Sequence, residues 1–300
     1  MMWNLDGTPP VRVNATVLTR LPDAMRRPQR SSWADANRPG HMADSFLEGP
    51  CFDAQGHLYV TDIPHGRLFR ITPDLQWHCV LESDGWPNGL ALHADGSVWI
   101  TDYRHGIQRF DPASGRLDTV LGHRNSESFK GVNDLVFDAQ GRLYFTDQGQ
   151  TGLHDPTGRV YRWQPDGRLD LLVSNAPSPN GLAVSADMKV LYVALTRANQ
   201  VWRAPLLADG SISKMVALQT FFGPSGPDGM ALDRHGRLLV AHASLGCVFV
   251  LNALGEVTHR LCSPIPHSSV TNVACWPGRD AVVITESHSG SVLVADLPPP

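Results

Sequence analysis

No apolar stretch of this 300-residue chain approaches the roughly 18–20 residues that a membrane-spanning helix needs. Nothing is therefore expected to cross a bilayer as a helix. No run of like charge exceeds a few residues, and the formal net charge is only -4. A nucleic-acid partner is not expected, because the basic footprint such a surface needs is missing. The first residues, MMWNLDGTPPVRVN, have neither an apolar core nor a cleavage pattern, so no signal peptide is expected. There is no CxxC pair. The five cysteines (Cys51, Cys79, Cys247, Cys262, Cys275) are odd in number and widely scattered. That usage fits free thiols in a reducing compartment and points to the cytoplasm. No serine sits in a GxSxG context, which argues against serine-hydrolase chemistry. Helical periodicity of useful length is missing as well.

What the chain does have is repetition. LYVTD ends at Asp62, VWITD at Asp102, LYFTD at Asp147, LYVAL at Leu195, LLVAH at His242 and VVITE at Glu286. The spacing of about 40 to 48 residues is that of a radial or stacked repeat fold. Each unit reads as short strands separated by glycine turns. In EGPCFDAQGHLYVTDIPHGRLFR, PCFD, HLYVTD and RLFRI are strands, AQG and IPHG are turns, and WHCVLES follows as a fourth strand. Four antiparallel strands per unit and six units predict an all-β, six-bladed β-propeller around a central channel. One domain is expected over 1–300. Residues 1–44 form a latch strand and a loop, and 45–297 form the blades. The sixth unit runs out of chain before a fourth strand, so VNATVLTRL (13–21) is expected to supply it. Residues 22–47, polar and proline-bearing, are expected to form a long loop near the channel mouth.

Fourteen residues before the end of each phrase stands a polar residue: Glu48, Asn88, Asn133, Asn180 (the fourth unit is one residue longer), Asp228 and Asn272. In a propeller the first strand of each blade lines the channel, so all six open on one end of it. Turn chemistry explains an Asn-Gly or Asp-Gly pair at Asn88, Asn180 and Asp228. It does not explain Glu48 or Asn133. A ring of carboxylates and carboxamides suits a hard divalent cation. Ca²⁺ is the best match, ahead of Mg²⁺, Mn²⁺ and Fe²⁺, with Zn²⁺ disfavoured for want of nitrogen and sulfur donors. Asn88, Asn133, Asn272, His267 (in SPIPHSSVTN) and Trp86 are candidate substrate contacts at the mouth. His65 and His105 fall in HG turns and read as turn residues, and His242 as structural. Cys51 and Cys275 read as small core residues rather than nucleophiles.

EGPCFD, GVNDLVFDAQGRLYFTD, SPNGLAVSAD and GPDGMALDRHGRLLVA, in this order and spacing, resemble the gluconolactonase, senescence marker protein and luciferin-regenerating enzyme family over about residues 45–297. The resemblance implies a six-bladed propeller and a divalent metal in the channel. It implies Glu48, Asn180 and Asp228 as ligands, with Asn133 binding metal or substrate. It also implies hydrolysis of a small-molecule lactone, with Asp228 as proton acceptor and donor. Ester or organophosphate hydrolysis on the same site, and a non-catalytic ligand-binding propeller, are the alternatives. Two departures stand out. Lys130 occupies a place where relatives with a second, structural calcium have an acid. Gly131 stands where other members have a substrate-contacting arginine.

Overall fold

A computed structural model describes Asn4 and residues 7–299. Six sheets follow one another around a central axis. The first blade is Leu47–Phe52, Leu58–Asp62, Arg67–Ile71 and Trp77–Glu82. The second is Pro87–Leu92, Val98–Asp102, Gly106–Asp111 and Arg116–Leu121. The third is Val132–Phe137, Leu143–Asp147, Gly158–Trp163 and Leu169–Ala176. The fourth is Pro179–Val184, Val190–Leu195, Gln200–Pro205 and Val216–Thr220. The fifth contributes Pro227–Leu232, Leu238–His242, Cys247–Leu251 and Val257–Cys262. The sixth contributes only Val270–Cys275, Ala281–Glu286 and Ser291–Asp296. The innermost strands contact one another in order, and that of the sixth blade returns to that of the first. The chain is an all-β, six-bladed propeller. No helix among the described residues is long and apolar enough to cross a membrane.

The repeated phrase is the second strand of each blade, and its residues are divided between two interfaces. In the first blade Leu58 and Val60 pack with Val283 and Val292 of the sixth. Tyr59, pointing the other way, packs with Leu90, Val98 and Ile100 of the second. Strand alternation thus supplies one side chain to each neighbour in turn. Burial of each is worth about 1.5–3 kcal/mol.

The ring is closed by the N-terminal segment, which forms two strands rather than one. Thr16–Arg20 pairs antiparallel with Ser291–Asp296 as the outer strand of the sixth blade. Val11–Asn14 pairs in parallel with Val257–Cys262 and extends the fifth blade. The crossing point is Ala15, which is buried and donates its N–H to the Cys262 carbonyl at 2.9 Å.

Residues 22–46 contain a one-turn 3-10 helix, Asp23–Met25, and a six-residue α-helix, Ser32–Asn37. The expected long loop is therefore partly helical, in a segment too short to carry a 3.6-residue period. Ser31 caps the α-helix through Oγ, 3.1 Å from the Ala34 N–H. Trp33 is buried against Phe46, their rings 4.8 Å apart, and clusters with Ile63. The segment is fastened to the blades at several points. Arg67, buried and paired with Asp62, donates to the Met25 carbonyl at 2.6 Å. Arg26 donates to Ser289 O at 2.6 Å, and Arg27 grips Glu82 with two bonds of 2.7 Å. His65 faces Ala43 O at 3.2 Å. The segment forms a fixed cap over one side of the channel mouth.

Candidate functional site at the channel mouth

In every blade the pairing of the first two strands slips at the ring residue. The pairs run Leu47↔Asp62 and Glu48↔Thr61, then Cys51↔Tyr59. In the second blade they run Pro87↔Asp102, then Leu90↔Ile100. The same slip occurs at Val132/Leu135, Pro179/Leu182, Pro227/Met230 and Val270/Asn272. A bulge re-aims a side chain, and six bulges turn six polar residues toward the axis.

Space for that convergence comes from the residue that follows. A Cβ on Gly229 would stand 2.0 Å from Asn272, and one on Gly89 would stand 2.3 Å from Asp134 Oδ1. At Gly49 and Gly181 it would meet backbone of the next blade, at 2.4 Å from Asn88 O and 2.3 Å from Asp228 O. These glycines let neighbouring inner strands touch.

The threonines of the second strands lock the ring residues across blade boundaries. Thr61 Oγ1 donates to Asn88 O at 2.7 Å, Thr101 to Asn133 O, and Thr146 to Asn180 O at 2.8 Å. Two further threonines bridge blades one residue before the ring position: Thr196, in the turn after the fourth blade's second strand, donates to Pro227 O at 2.7 Å, and Thr271, in the sixth blade's first strand, donates to Leu47 O at 2.8 Å. The acids that close the phrases do a different task. Asp62 accepts from the Phe46 N–H, Asp102 from Arg104 and His105, Asp147 from Gly131, and Glu286 from Ser269 and His288. They hold the loops that frame the mouth.

Glu48, Asn88, Asn133, Asn180, Asp228 and Trp86 line one cavity of about 160 Å³, beneath Trp33, Asn37 and Phe46 of the cap. Asn180 and Asp228 also line an adjoining cavity of about 430 Å³ that contains His267. Asn272 lies elsewhere. It borders the far half of the channel, a cavity of about 400 Å³ lined mainly by apolar side chains such as Leu90, Val136 and Met230, with Asp134 among them. Its Nδ2 donates to Glu48 Oε2 at 2.9 Å, and its Oδ1 accepts from the Val273 N–H. Glu48 Oε2 also accepts from the Gly49 N–H at 2.8 Å. Asn133 Nδ2 is held by Gln148 Oε1 at 2.9 Å, and the Asn180 side chain donates to Asp228. Trp86 packs on Tyr103 at 5.4 Å and carries the Arg104 guanidinium over its face at 4.4 Å.

One residue at the centre was given no role by the sequence reading. Asp134 is buried, accepts from the Leu135 N–H at 2.9 Å and from Leu182 N–H of the next blade, and adds a third carboxylate. Its signal was that Asp replaces the glycine or valine that follows the ring residue in the other five blades. Burial pushes Glu48 up to about 7. Burial, with the Glu48 charge, pushes Asp134 up to about 8. Asp228 is raised well above the ordinary carboxylate range by burial and then by Glu48 and Asp134. Three mutually repelling carboxylates in a low-dielectric channel call for a positive counter-charge. Glu48 and Asp228 with the carboxamides of Asn133 and Asn180 form an oxygen donor set of the kind hard divalent cations take. The residues present fit such an ion.

The other candidates have structural surroundings. His242 is fully buried against Phe221 and Phe249. His105 faces Asp84 at 2.9 Å. Burial pushes the Cys51 thiol up to about 12 and that of Cys275 to about 11, far from a nucleophilic thiolate at neutral pH.

Residues 46–288 match the SMP-30/Gluconolactonase/LRE-like region, and the chain belongs to that family. A gluconolactonase of Zymomonas mobilis is 29% identical, with 87% of this chain and 83% of that protein covered. A lactonase of Staphylococcus aureus is 30% identical, with 87% and 84% covered. Among solved structures, a gluconolactonase of Xanthomonas campestris superposes with a TM-score of 0.75 at 23% identity, covering 95% of this chain and 97% of that one. The calcium-binding protein regucalcin of Agrobacterium tumefaciens gives 0.71 at 19%, covering 96% and 97%. A virginiamycin B lyase of Staphylococcus aureus shares the propeller at 0.61 and 14%, covering 84% and 80%. The fold therefore hosts more than one chemistry.

Proposed function

We propose that this chain is a lactonase, a hydrolase that opens the ring ester of a small lactone with one divalent cation at the channel mouth. Family membership and the lactonases among its relatives support the reaction class. The observation that carries the reading is the convergence of Glu48, Asn133, Asn180 and Asp228 on one cavity. A ligand-binding scaffold has no need of buried, mutually repelling acids. Glu48, Asn180 and Asp228 would hold the ion, with Asn133 beside them, and calcium suits these oxygens best. When bound, such an ion polarises the lactone carbonyl and offsets the charge that develops on its oxygen.

The protein's own groups do the rest. Asn272 and the Gly49 N–H fix the Glu48 carboxylate, and Gln148 orients Asn133. Trp86, Trp33 and Phe46 wall the cavity and limit water. Asp228, a carboxylate at the cavity wall, accepts the proton of the attacking water as the new C–O bond forms. It returns that proton to the ring oxygen as the acyl–oxygen bond breaks. The product is a hydroxy acid, with its new hydroxyl still tethered, so no separate leaving-group pocket is needed. Asn272 acts as a positioning residue for Glu48 rather than as a substrate contact. The reducing, cytoplasmic setting is part of the same reading and rests on an odd number of widely scattered cysteines with no CxxC pair.

A lactone panel followed by proton release, with and without chelator, tests this. Chelator-sensitive ring opening is expected. A panel in which metal-loaded protein opens no lactone contradicts the reading and leaves the ligand-binding propeller in its place.

A further inference from the structure

The larger cavity at the mouth differs in character from the acid ring at its floor. Its volume is about 430 Å³, within the range of small-molecule sites. Arg38, Arg197 and His267 line it, together with Ser225, Ser244 and Ser268, and its one carboxylate is Asp228. Arg197, exposed at the mouth, has the Asp228 charge as its electrostatic neighbour, and Arg38 feels only the more distant Glu286. Among the described residues no carboxylate lies within ion-pair distance of either guanidinium, and neither donates a side-chain hydrogen bond. Arg38, half-buried at the end of the cap helix, rests its guanidinium over the Phe46 ring at 4.8 Å, which leaves the edges of its planar fork open. Arg197 stands in the Thr196–Ala198 turn of the fourth blade and borders both mouth cavities beside Asn180 and Asp228. The Ser268 Oγ on the same wall is buried without a hydrogen-bond partner. A wall of two guanidiniums without a direct ion pair and an unsatisfied hydroxyl, with Asp228 as the cavity's one carboxylate, suits an anion.

We propose that the lactone this enzyme opens carries a second, anionic substituent, a carboxylate or phosphate, held by Arg197 and Arg38. This rests on the lactonase reading above. A neutral sugar lactone could enter the cavity but would leave the Arg38 fork unmet and give Arg197 no partner beyond Asp228. The charged substituent would anchor the far end of the ring and present its carbonyl to the cation that Glu48, Asn180 and Asp228 would hold.

The test compares a neutral aldonolactone, a lactone of the same ring size bearing a carboxylate, and a phosphorylated lactone, each in the proton-release assay with metal-loaded protein. The kcat/KM of one anionic lactone should exceed that of the neutral one by about tenfold or more, carried by KM, as charge-assisted bonds predict. The carboxylate and phosphate arms identify which anion is meant. Arg197→Gln and Arg38→Gln should each reduce that preference about tenfold, and Arg197→Lys should recover part of it. A neutral lactone preferred by the wild type, or a preference unmoved in the Arg38→Gln, Arg197→Gln double variant, overturns the proposal while leaving the lactonase reading intact. If no lactone is opened, the lactonase reading falls, and melting temperature decides the anion site alone. A polyhydroxy dicarboxylate should then stabilise the wild type more than a monocarboxylate does, and this difference should vanish in the double variant. Equal shifts in both proteins would remove the site.

Discussion

Thr61 in the first blade donates its hydroxyl to the carbonyl oxygen of Asn88 in the second, at 2.7 Å. The bond joins the residue that defines the repeated phrase to the residue that defines the ring. It recurs from blade to blade, so the invariant-looking Thr of LYVTD, VWITD and LYFTD is the device that registers one ring position against the next. Thr61→Val keeps the shape and leaves the Asn88 carbonyl without its donor. A loss of about 1–3 kcal/mol of stability is expected, read as a lower urea midpoint at unchanged slope. A variant as stable as the wild type would show that the bond does no more than fill space.

The glycines after the ring residues make a sharper prediction. Gly229→Ala places a methyl 2.0 Å from the Asn272 side chain, which in turn holds Glu48. It should cost on the order of 1–3 kcal/mol and weaken cation binding, because overpacking displaces Asn272. Gly122→Ala, whose Cβ would meet its nearest neighbour at an ordinary 3.5 Å, should stay within about 0.5 kcal/mol of the wild type. Paired melts and cation titrations on the two variants separate the effects.

Ring closure can be dissected by truncation. Deleting residues 1–8 removes no strand among the described residues. Deleting 1–14 strips the parallel strand Val11–Asn14 from the fifth blade, and deleting 1–22 also takes Thr16–Arg20 from the sixth. Stability and solubility should fall in that order, with the largest step at the last deletion, which bares an unpaired edge. A protein beginning at residue 23 that melts with the wild type would refute the latch.

How much of this was legible in the sequence follows from what repeats and what does not. Blade number, strand order and the ring positions all recur, and recurrence exposes them without any contact information. Asp134 was missed because it breaks the pattern, an acid where other blades have glycine or valine. Asn272 obeyed the pattern, yet its side chain is turned to Glu48, since Gly229 leaves room for it. Arg38 lies outside the repeats, and Arg197, in the fourth repeat's turn at the place Arg104 holds in the second, carries no signal of its own. Only the cap's attachment to the blades brings them to one cavity. The six-residue helix is held by the Ser31 cap and Trp33 packing, signals too short for periodicity to register.

His242 gives a pH dependence away from the mouth. Burial lowers its pKa to about 4, and neither ring nitrogen has a hydrogen-bond partner. Unfolded histidine titrates near 6.5. Between about pH 6.5 and 4 the unfolded chain therefore binds a proton that the folded one refuses, so stability rises with pH across that window and falls on acidification. The contribution is on the order of 3 kcal/mol. His242→Leu, the residue found at the equivalent Leu195, should flatten this part of the stability–pH curve, with urea melts at pH 4.5 and 7 as the check. An unchanged slope would assign the acid sensitivity to other groups.

The central claim is that four residues far apart in sequence hold one divalent cation, and a calorimetric titration of chelator-stripped protein with calcium, magnesium and manganese tests it most directly. The wild type should bind one ion per chain, calcium most tightly. Glu48→Gln combined with Asp228→Asn keeps four oxygen donors, removes both charges and should weaken binding by about a hundredfold or more. Stoichiometric binding undiminished in that double variant, or no binding of any of the three ions by the wild type, would contradict the account.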